Sequence, residues 1–398
     1  MGASSLKADN ANLDLIRAVA VLCVFFGHLI DIVSGRHLDV TWRFAQMGVL
    51  IFFVHTSLVL MLSLERSRLT GSRLFTDFYV RRAFRIYPLA MTCVVLSFVS
   101  HGFGREWTWR ELASNLALTT NLTYTENMVG GLWTLPLEVQ MYVVLPVLFV
   151  MFRAAPLGFP FLAWITAVCA GIIQPHVSDR LNVLVYSACF MGGVIAWRLS
   201  SVFRPRFAGR WWPLAFMATW PVFLFATRDS SMYFAWAFSL VLGLMIPLFA
   251  ELRSPWLTVP AKIAAKYSYG IYLSHVAVML TVLELGLPGV QRWALFWIVA
   301  ATAPVLLFHL IEQPMIQVGR RLARALSEGS IGVTPASLAE WVSPYLFLRR
   351  PGPQQTEGPR EIVWGETPML NDRRRSSRRR EDPEAPFRTL GRRSRMAT

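Results

Sequence analysis

Ten apolar stretches separated by short polar segments repeat along the chain, at roughly 13–33, 44–64, 83–101, 133–152, 161–177, 183–199, 212–228, 231–249, 267–285 and 293–311. Most run about 17–21 residues, enough for a helix to cross a hydrocarbon core of about 30 Å. The pattern predicts an all-α polytopic membrane protein with about ten transmembrane helices. Basic residues then orient it. The N-terminus and the even-to-odd loops carry Lys7, Arg17, Arg66, Arg68, Arg73, Arg81, Arg82, Arg85, Arg153, Arg198, Arg204, Arg206, Arg210, Arg253, Lys262 and Lys266. The opposite loops carry only Arg36, Arg43, Arg105, Arg110, Arg180, Arg228 and Arg292. A bias of 16 to 7 predicts that both termini are cytoplasmic.

Composition agrees. Of 398 residues, 54% are hydrophobic and only 16% charged, against about 25% charged in soluble domains. The net charge of +15 fits cytoplasmic loops facing anionic lipid better than nucleic acid. Cys23, Cys93, Cys169 and Cys189 all fall in apolar stretches, as packed hydrophobes with neither a disulfide framework nor a metal-ligand spacing. The first stretch lacks a small-residue cleavage site and is too long for a secretory h-region, so it reads as an uncleaved helix.

Three segments follow: a polar lead at 1–10, a transmembrane domain at 11–314 and a basic tail at 315–398. One loop breaks the run of short connections. The stretch 102–132, expected outside, holds Trp107, Trp109, Asn115, Asn121 and Gly130-Gly131. Two readings fit it: a lid over an outward-facing site, or an amphipathic segment lying passively on the membrane. The tail carries 16 Lys/Arg and 9 Asp/Glu and no long apolar run. It is expected to be largely disordered and cytoplasmic, with a short helix around Leu338–Leu348. Its Arg373-Arg374-Arg375-Ser376-Ser377-Arg378-Arg379-Arg380 cluster suits anionic lipid, or serves only as solvated topogenic charge.

Ionisable residues inside spanning helices are costly and therefore functional suspects. His28 lies 14 residues after Asp14, about 21 Å along its helix. Glu138 lies five residues after Trp133, about 8 Å in from the outer face. The two depths agree to within a turn or two. They predict either an acid–base pair, with His28 as base and Glu138 orienting it, or a structural ion pair between helices. His55 and His275 are expected in the inner half, as path-lining groups or as helix–helix hydrogen-bond partners. Asp14 and Arg17 share one helix face at the cytoplasmic end. With Arg81, Arg82 and Arg85 they suit a phosphate-rich ligand, although topogenic charge explains Arg81 or Arg82 equally well. No metal site is expected.

These segments resemble the acyltransferase-3 family of membrane O-acyltransferases. The resemblance rests on Leu13-Asp14-Leu15-Ile16-Arg17 followed by His28, on Phe52-Phe53-Val54, and on Arg82-Ala83-Phe84-Arg85-Ile86-Tyr87-Pro88. It continues in Leu132-Trp133-Thr134-Leu135-Pro136-Leu137-Glu138 through Tyr142, in Tyr267-Ser268-Tyr269-Gly270-Ile271-Tyr272-Leu273-Ser274-His275, and in Glu312-Gln313-Pro314. The tail lies outside it. The resemblance implies transfer of an acyl group, commonly acetyl, from cytoplasmic acyl-CoA to a hydroxyl of a cell-surface or secreted carbohydrate or lipid-linked glycan. Exopolysaccharide and lipopolysaccharide are among the family's acceptors, and the natural home is a bacterial inner membrane. It further implies His28 and Glu138 as catalytic, Arg17, Arg82 and Arg85 as donor-binding, and Asp14, Trp133, His55, Tyr142 and His275 along the substrate path. Transfer is direct, or passes through an acyl-His intermediate. Two features depart from the family: His55-Thr56-Ser57 replaces a common Leu-Ser-Gly, and no extracytoplasmic esterase-like domain is evident. The competing reading from another class is a proton-coupled transporter or glycan flippase, which buried His, Glu and Arg also suit.

Overall fold

The computed structural model describes residues 6–7, 9–35, 38–100, 105–178, 180–225 and 231–327. Fourteen α-helices follow one another: α1 (Ala11–Ser34), α2 (Asp39–Arg66), α3 (Gly71–Val99), α4 (Trp109–Leu116), α5 (Thr120–Thr123), α6 (Thr134–Phe152), α7 (Gly158–Val177), α8 (Val183–Ser200), α9 (Trp212–Ala218), α10 (Pro221–Leu224), α11 (Ser231–Met245), α12 (Pro255–Leu283), α13 (Gly289–Leu307) and α14 (Gln313–Ser327). Among the described residues there is no β-strand, only one isolated bridge between Phe207 and Phe249. Among the described residues, eight helical segments are long and apolar enough to cross a membrane: α1, α2, α3, α6, α7, α8, Ser231–Leu248 and Gly289–Ser327. Large apolar side chains on their outer faces stay exposed, such as Leu162, Ile165 and Ile173 on α7 and Ile298 and Leu306 on α13. In water such a surface would drive aggregation; in lipid it costs nothing. The chain is a multi-pass, all-α membrane protein.

Helix α2 is the centre of the bundle and packs on α1, α6, α8 and α11. Small residues set these contacts, as expected where packing rather than hydrophobicity joins helices. A Cβ added to Gly48 would strike the Ala20 carbonyl of α1, and one on Gly193 of α8 would strike Ser57 and the Val54 carbonyl. Ser57 donates to the Phe190 carbonyl at 2.7 Å, so this member of the His55-Thr56-Ser57 departure is a helix–helix tie. Helix α1 is delimited by its own sequence. Asn10 caps its start by accepting from the Asn12 amide at 2.8 Å, and Gly35 ends it in the left-handed region.

Two expectations change. The 212–228 stretch is not one long helix up to residue 225, where description stops. Prolines at the starts of α9 and α10 split it, and Trp212, Phe216 and Phe223 are buried in the protein. These three fill a core, while Leu214, Met217 and Phe225 stay exposed. The tail expected from 315 also begins later, because α14 continues to Ser327 and packs on α3. Val318, Leu322 and Ala325 form an i, i+4, i+7 apolar stripe in an Arg-rich stretch, and Gly319 lets α14 approach Phe84. The Leu338–Leu348 segment and the arginine cluster at 373–380 lie outside the described residues.

Candidate active site

Two neighbouring cavities are lined by α1, α2 and α12, the inner one also by α3 and α6 and the outer one by α8. The inner one, about 100 Å³, is lined by Arg17, His55, Thr56, Arg82, Arg85, Glu138, Tyr142, Ser268, Tyr269 and Tyr272 among others. Three of its four Arg and Glu side chains are held by a neighbour. Arg17 Nε donates to Ser268 Oγ at 2.7 Å. Tyr142 OH donates to Glu138 Oε2 at 2.7 Å, one turn along α6. Arg85 Nη1 pairs with Glu312 Oε1, and its guanidinium lies 5.9 Å over the Tyr269 ring. Tyr269 OH in turn donates to the Ile86 carbonyl at 2.7 Å, tying α12 to α3.

Glu312 closes a π-helical turn, Phe308–Glu312, between α13 and α14. Such a turn carries an extra residue and re-aims the side chains around it. Here it buries a carboxylate that is 1% exposed against Arg85. The sequence reading gave Glu312 no role, yet an acid at the end of a long apolar run was signal enough.

The outer cavity, about 260 Å³, is lined by Val24, His28, Trp42, Ala45, Gln46, Val49, Gly131, Trp133, Tyr186 and Tyr272. Among the described residues it is lined by one histidine and four aromatic residues, and by no Asp, Glu, Lys or Arg. Trp133 packs against Tyr186 with ring centroids 5.8 Å apart. Tyr272 OH shares a 2.8 Å hydrogen bond with Thr134 Oγ1. Gly131 permits close approach of the loop, since a Cβ there would meet the Tyr272 carbonyl at 2.8 Å. Val49 and Tyr272 line both cavities and form the partition.

Arg17, Arg82, Arg85, Glu138, Tyr142 and His55 therefore come together, while His28 and Trp133 line the neighbouring chamber. Asp14 lines neither cavity. The expected sharing of one cavity by His28 and Glu138 is not what the structure has. Equal depth does not fix the direction in which a side chain points, and Glu138 turns towards Tyr142 and the arginines. His28 instead faces His275, with ring centroids 5.3 Å apart. His275 was expected in the inner half because it follows Lys266 by nine residues. However, α12 begins at Pro255 and runs 29 residues, about 43 Å, so Lys266 is no marker of its end. His275 is 2% exposed, and its Nδ1 lies 2.7 Å from the Tyr272 carbonyl.

The loop after α3 is built rather than loose between residues 105 and 132. Thr108 and Glu111 form a capping box at the start of α4. Buried Asn115 donates to the Glu111 and Glu126 carbonyls and accepts from the Met128 amide, at 2.8–2.9 Å. Asn121 donates to Asn182 at 3.0 Å, linking the loop to the start of α8. The loop ends at Gly131 and Trp133, and so forms part of the outer cavity's wall.

Comparison with known proteins gives the family. The model of an acyltransferase domain, that of the acyltransferase-3 family, matches residues 10–311. Nodulation protein 10 of Rhizobium leguminosarum biovar viciae is 27% identical over 366 residues, covering 79% of this chain and 96% of that protein. No solved structure matches the chain. The matched region runs from the cap of α1 to the π-turn and contains both cavities, and on this evidence the chain belongs to the acyltransferase-3 family of membrane O-acyltransferases.

Proposed function

We propose that the chain moves an acyl group, acetyl first among candidates, from cytoplasmic acyl-CoA to a hydroxyl of a cell-surface or secreted carbohydrate, within a bacterial inner membrane. The observation that carries this reading is the pair of neighbouring cavities that share Val49 and Tyr272 in their linings. The inner chamber holds Arg17, Arg82 and Arg85 against two nearby carboxylates, Glu138 and Glu312. That excess of positive charge suits an anionic donor. The outer chamber offers flat aromatic faces and a histidine, which suit a sugar ring and the activation of its hydroxyl.

In this mechanism the acyl-thioester end of the donor lies in the inner cavity with its carbonyl at the partition. The acceptor hydroxyl lies in the outer cavity beside His28. A His28 ring nitrogen takes the hydroxyl proton while the oxygen attacks the thioester carbonyl carbon. The new C–O bond forms, the C–S bond breaks, and CoA leaves as thiolate, which takes up one proton. Glu138 then serves the inner site, fixing the arginines through Tyr142, and His275 supports the imidazole of His28. For donor and acceptor to meet, the Val49–Tyr272 boundary must open when both are bound, so that the hydroxyl oxygen reaches the carbonyl carbon and a bimolecular reaction becomes a positioned one.

The test is mass spectrometry of surface and secreted glycans from cells carrying the wild type, His28→Gln, or no copy. Base-labile ester mass present only with the wild type is the expected result, and it identifies the acyl group and the acceptor. Equal ester mass in all three strains, with the protein folded in the membrane, would refute the carbohydrate acceptor.

A further inference from the structure

A third cavity, about 690 Å³, opens where the ends of α2, α6 and α8 meet, lined by Glu65, Arg68, Arg153, Trp197, Arg198 and Ser201 among others. It contains three arginines and one carboxylate. The carboxylate is engaged: Glu65 Oε2 accepts from Trp197 Nε1 at 3.1 Å. None of the three arginines has an ion-pair partner among the described residues. Arg198 is the unusual one. It is 7% exposed, its Nη1 donates to Ser201 Oγ at 3.1 Å and its Nη2 to the Ala155 carbonyl at 2.7 Å, and its buried Nε has no partner. A buried guanidinium held only by neutral acceptors is costly unless an anion joins it. Topogenic charge accounts for exposed Arg68 and Arg153, but not for a buried Arg198.

This cavity and the inner chamber of the candidate active site flank a common space. A narrow space of about 20 Å³ lies between them, lined by Ser63, Leu64, Ser67, Asp77, Arg81 and Arg82 among others. It shares Arg82 with the inner cavity, and Leu64 and Ser67 with the third. Size makes the connection matter. Sites that engulf a drug-sized ligand are about 300–1,000 Å³, so an inner chamber of about 100 Å³ takes only one end of a CoA thioester.

We propose that the third cavity holds the nucleotide end of the donor, with the adenosine 3′-phosphate on Arg68, Arg153 and Arg198. This rests on the reading of the donor as acyl-CoA. The pantetheine arm passes the Arg82 constriction, and the thioester reaches the inner cavity. The arginines beyond the constriction then distinguish CoA from thioesters lacking the 3′-phosphate.

The experiment is equilibrium binding of CoA and 3′-dephospho-CoA to the purified full chain in nanodiscs, for the wild type, Arg153→Gln and Arg198→Gln. The wild type is expected to bind CoA about tenfold more tightly than 3′-dephospho-CoA, as one charge-assisted contact implies. Each variant is expected to lose that preference by weakening CoA alone. Arg153 is exposed, so its variant carries the test if Arg198→Gln, which loses its bond to the Ala155 carbonyl, does not fold. Equal affinity of the wild type for the two ligands would overturn the third-cavity site while leaving the donor reading intact. Binding of neither would remove the donor reading itself. The series is repeated in nanodiscs with and without phosphatidylglycerol. A variant defect equal for both ligands and seen only with the anionic lipid would assign the arginines to a lipid headgroup, and so also overturn the proposal.

Discussion

The two chambers of the candidate active site differ in almost every physical respect although Val49 and Tyr272 line both. The inner chamber is crowded with charge, and nearly every charged group has a named partner: Arg17 with Ser268, Glu138 with Tyr142, Arg85 with Glu312. The outer chamber has no Asp, Glu, Lys or Arg on its wall, only one histidine, one glutamine and four aromatic rings among its polar and flat groups. A binding pocket for a charged donor needs fixed counter-charges. A pocket for a neutral acceptor needs shape, stacking surface and one proton carrier. On the proposed mechanism the contrast makes donor binding and proton transfer separable, so substitutions on the two sides are expected to fail differently.

The largest effect is expected from His28→Gln. It removes the proton acceptor but touches none of the inner arginines, so transfer is expected to fall at least about a hundredfold, the low end for general-base catalysis, with CoA affinity unchanged. Parallel measurement of ester formation in cells and CoA binding in vitro checks both halves. A His28→Gln protein that transfers at the wild-type rate ends the assignment.

Next come the partners of the buried ion pair, where the two variants are expected to diverge. Arg85→Gln removes one cation from the inner chamber and is expected to weaken CoA binding about tenfold. Glu312→Gln leaves Arg85, whose side chain is 22% exposed, without its carboxylate, a loss of about 1–3 kcal/mol, less than for a fully buried pair because the cavity screens the charge. It is expected to lower the melting temperature without weakening CoA binding, since the anion site keeps all its cations. If Glu312→Gln weakens CoA as much as Arg85→Gln does, Glu312 contacts the donor and is more than an anchor.

A smaller effect is expected at the outer wall. In Gly131→Ala the new methyl would stand 2.8 Å from the Tyr272 carbonyl and 3.0 Å from its ring, so the loop must shift away from α12. Acceptor turnover is expected to fall severalfold, of the order of a 1 kcal/mol disturbance, with CoA affinity unaffected. A matched loss of CoA binding would show that the partition does not insulate the chambers.

Much of this arrangement was legible in the sequence, for identifiable reasons. Arg17, Arg82 and Arg85 sit within a few turns of the basic ends of their helices, so charge and helical rise were enough to place them together. Helix α2 announced itself by a long apolar run. What failed was azimuth and helix length. Depth along α1 and α6 could not tell that Glu138 turns towards Tyr142, and the apolar stretch at 267–285 concealed the twelve helical residues before it that displace His275 towards His28. The fate of 212–228 was hidden for another reason: lipid and protein core are equally apolar, and only the prolines at 213 and 221 distinguish them. The π-turn that delivers Glu312 has no local composition signal, because it is selected by packing.

The smallest expected effect lies farthest from the chemistry, in the capping box that opens α4. The Thr108 backbone N–H donates to Glu111 Oε2 at 2.9 Å and its hydroxyl at 2.7 Å, while Arg105 Nη2 reaches Oε1 at 2.7 Å. These donors, led by the backbone bond, hold the Glu111 carboxyl below its ordinary value of 4.5. A depressed folded-state value contributes stability that is fully present above the ordinary value and lost as pH falls through the folded one. The loop is therefore expected to loosen only below about pH 4.5, with the outer cavity affected and the inner one not. Fluorine NMR of a 5-fluorotryptophan at Trp109, followed from pH 7 to pH 3, reads the loop directly. Glu111→Gln is expected to weaken the cap modestly at neutral pH and to flatten the acid response, because the amide cannot titrate. An acid response that persists unchanged in Glu111→Gln would mean that another carboxylate controls the loop. Glu126, the second partner of Arg105, is the next one to replace.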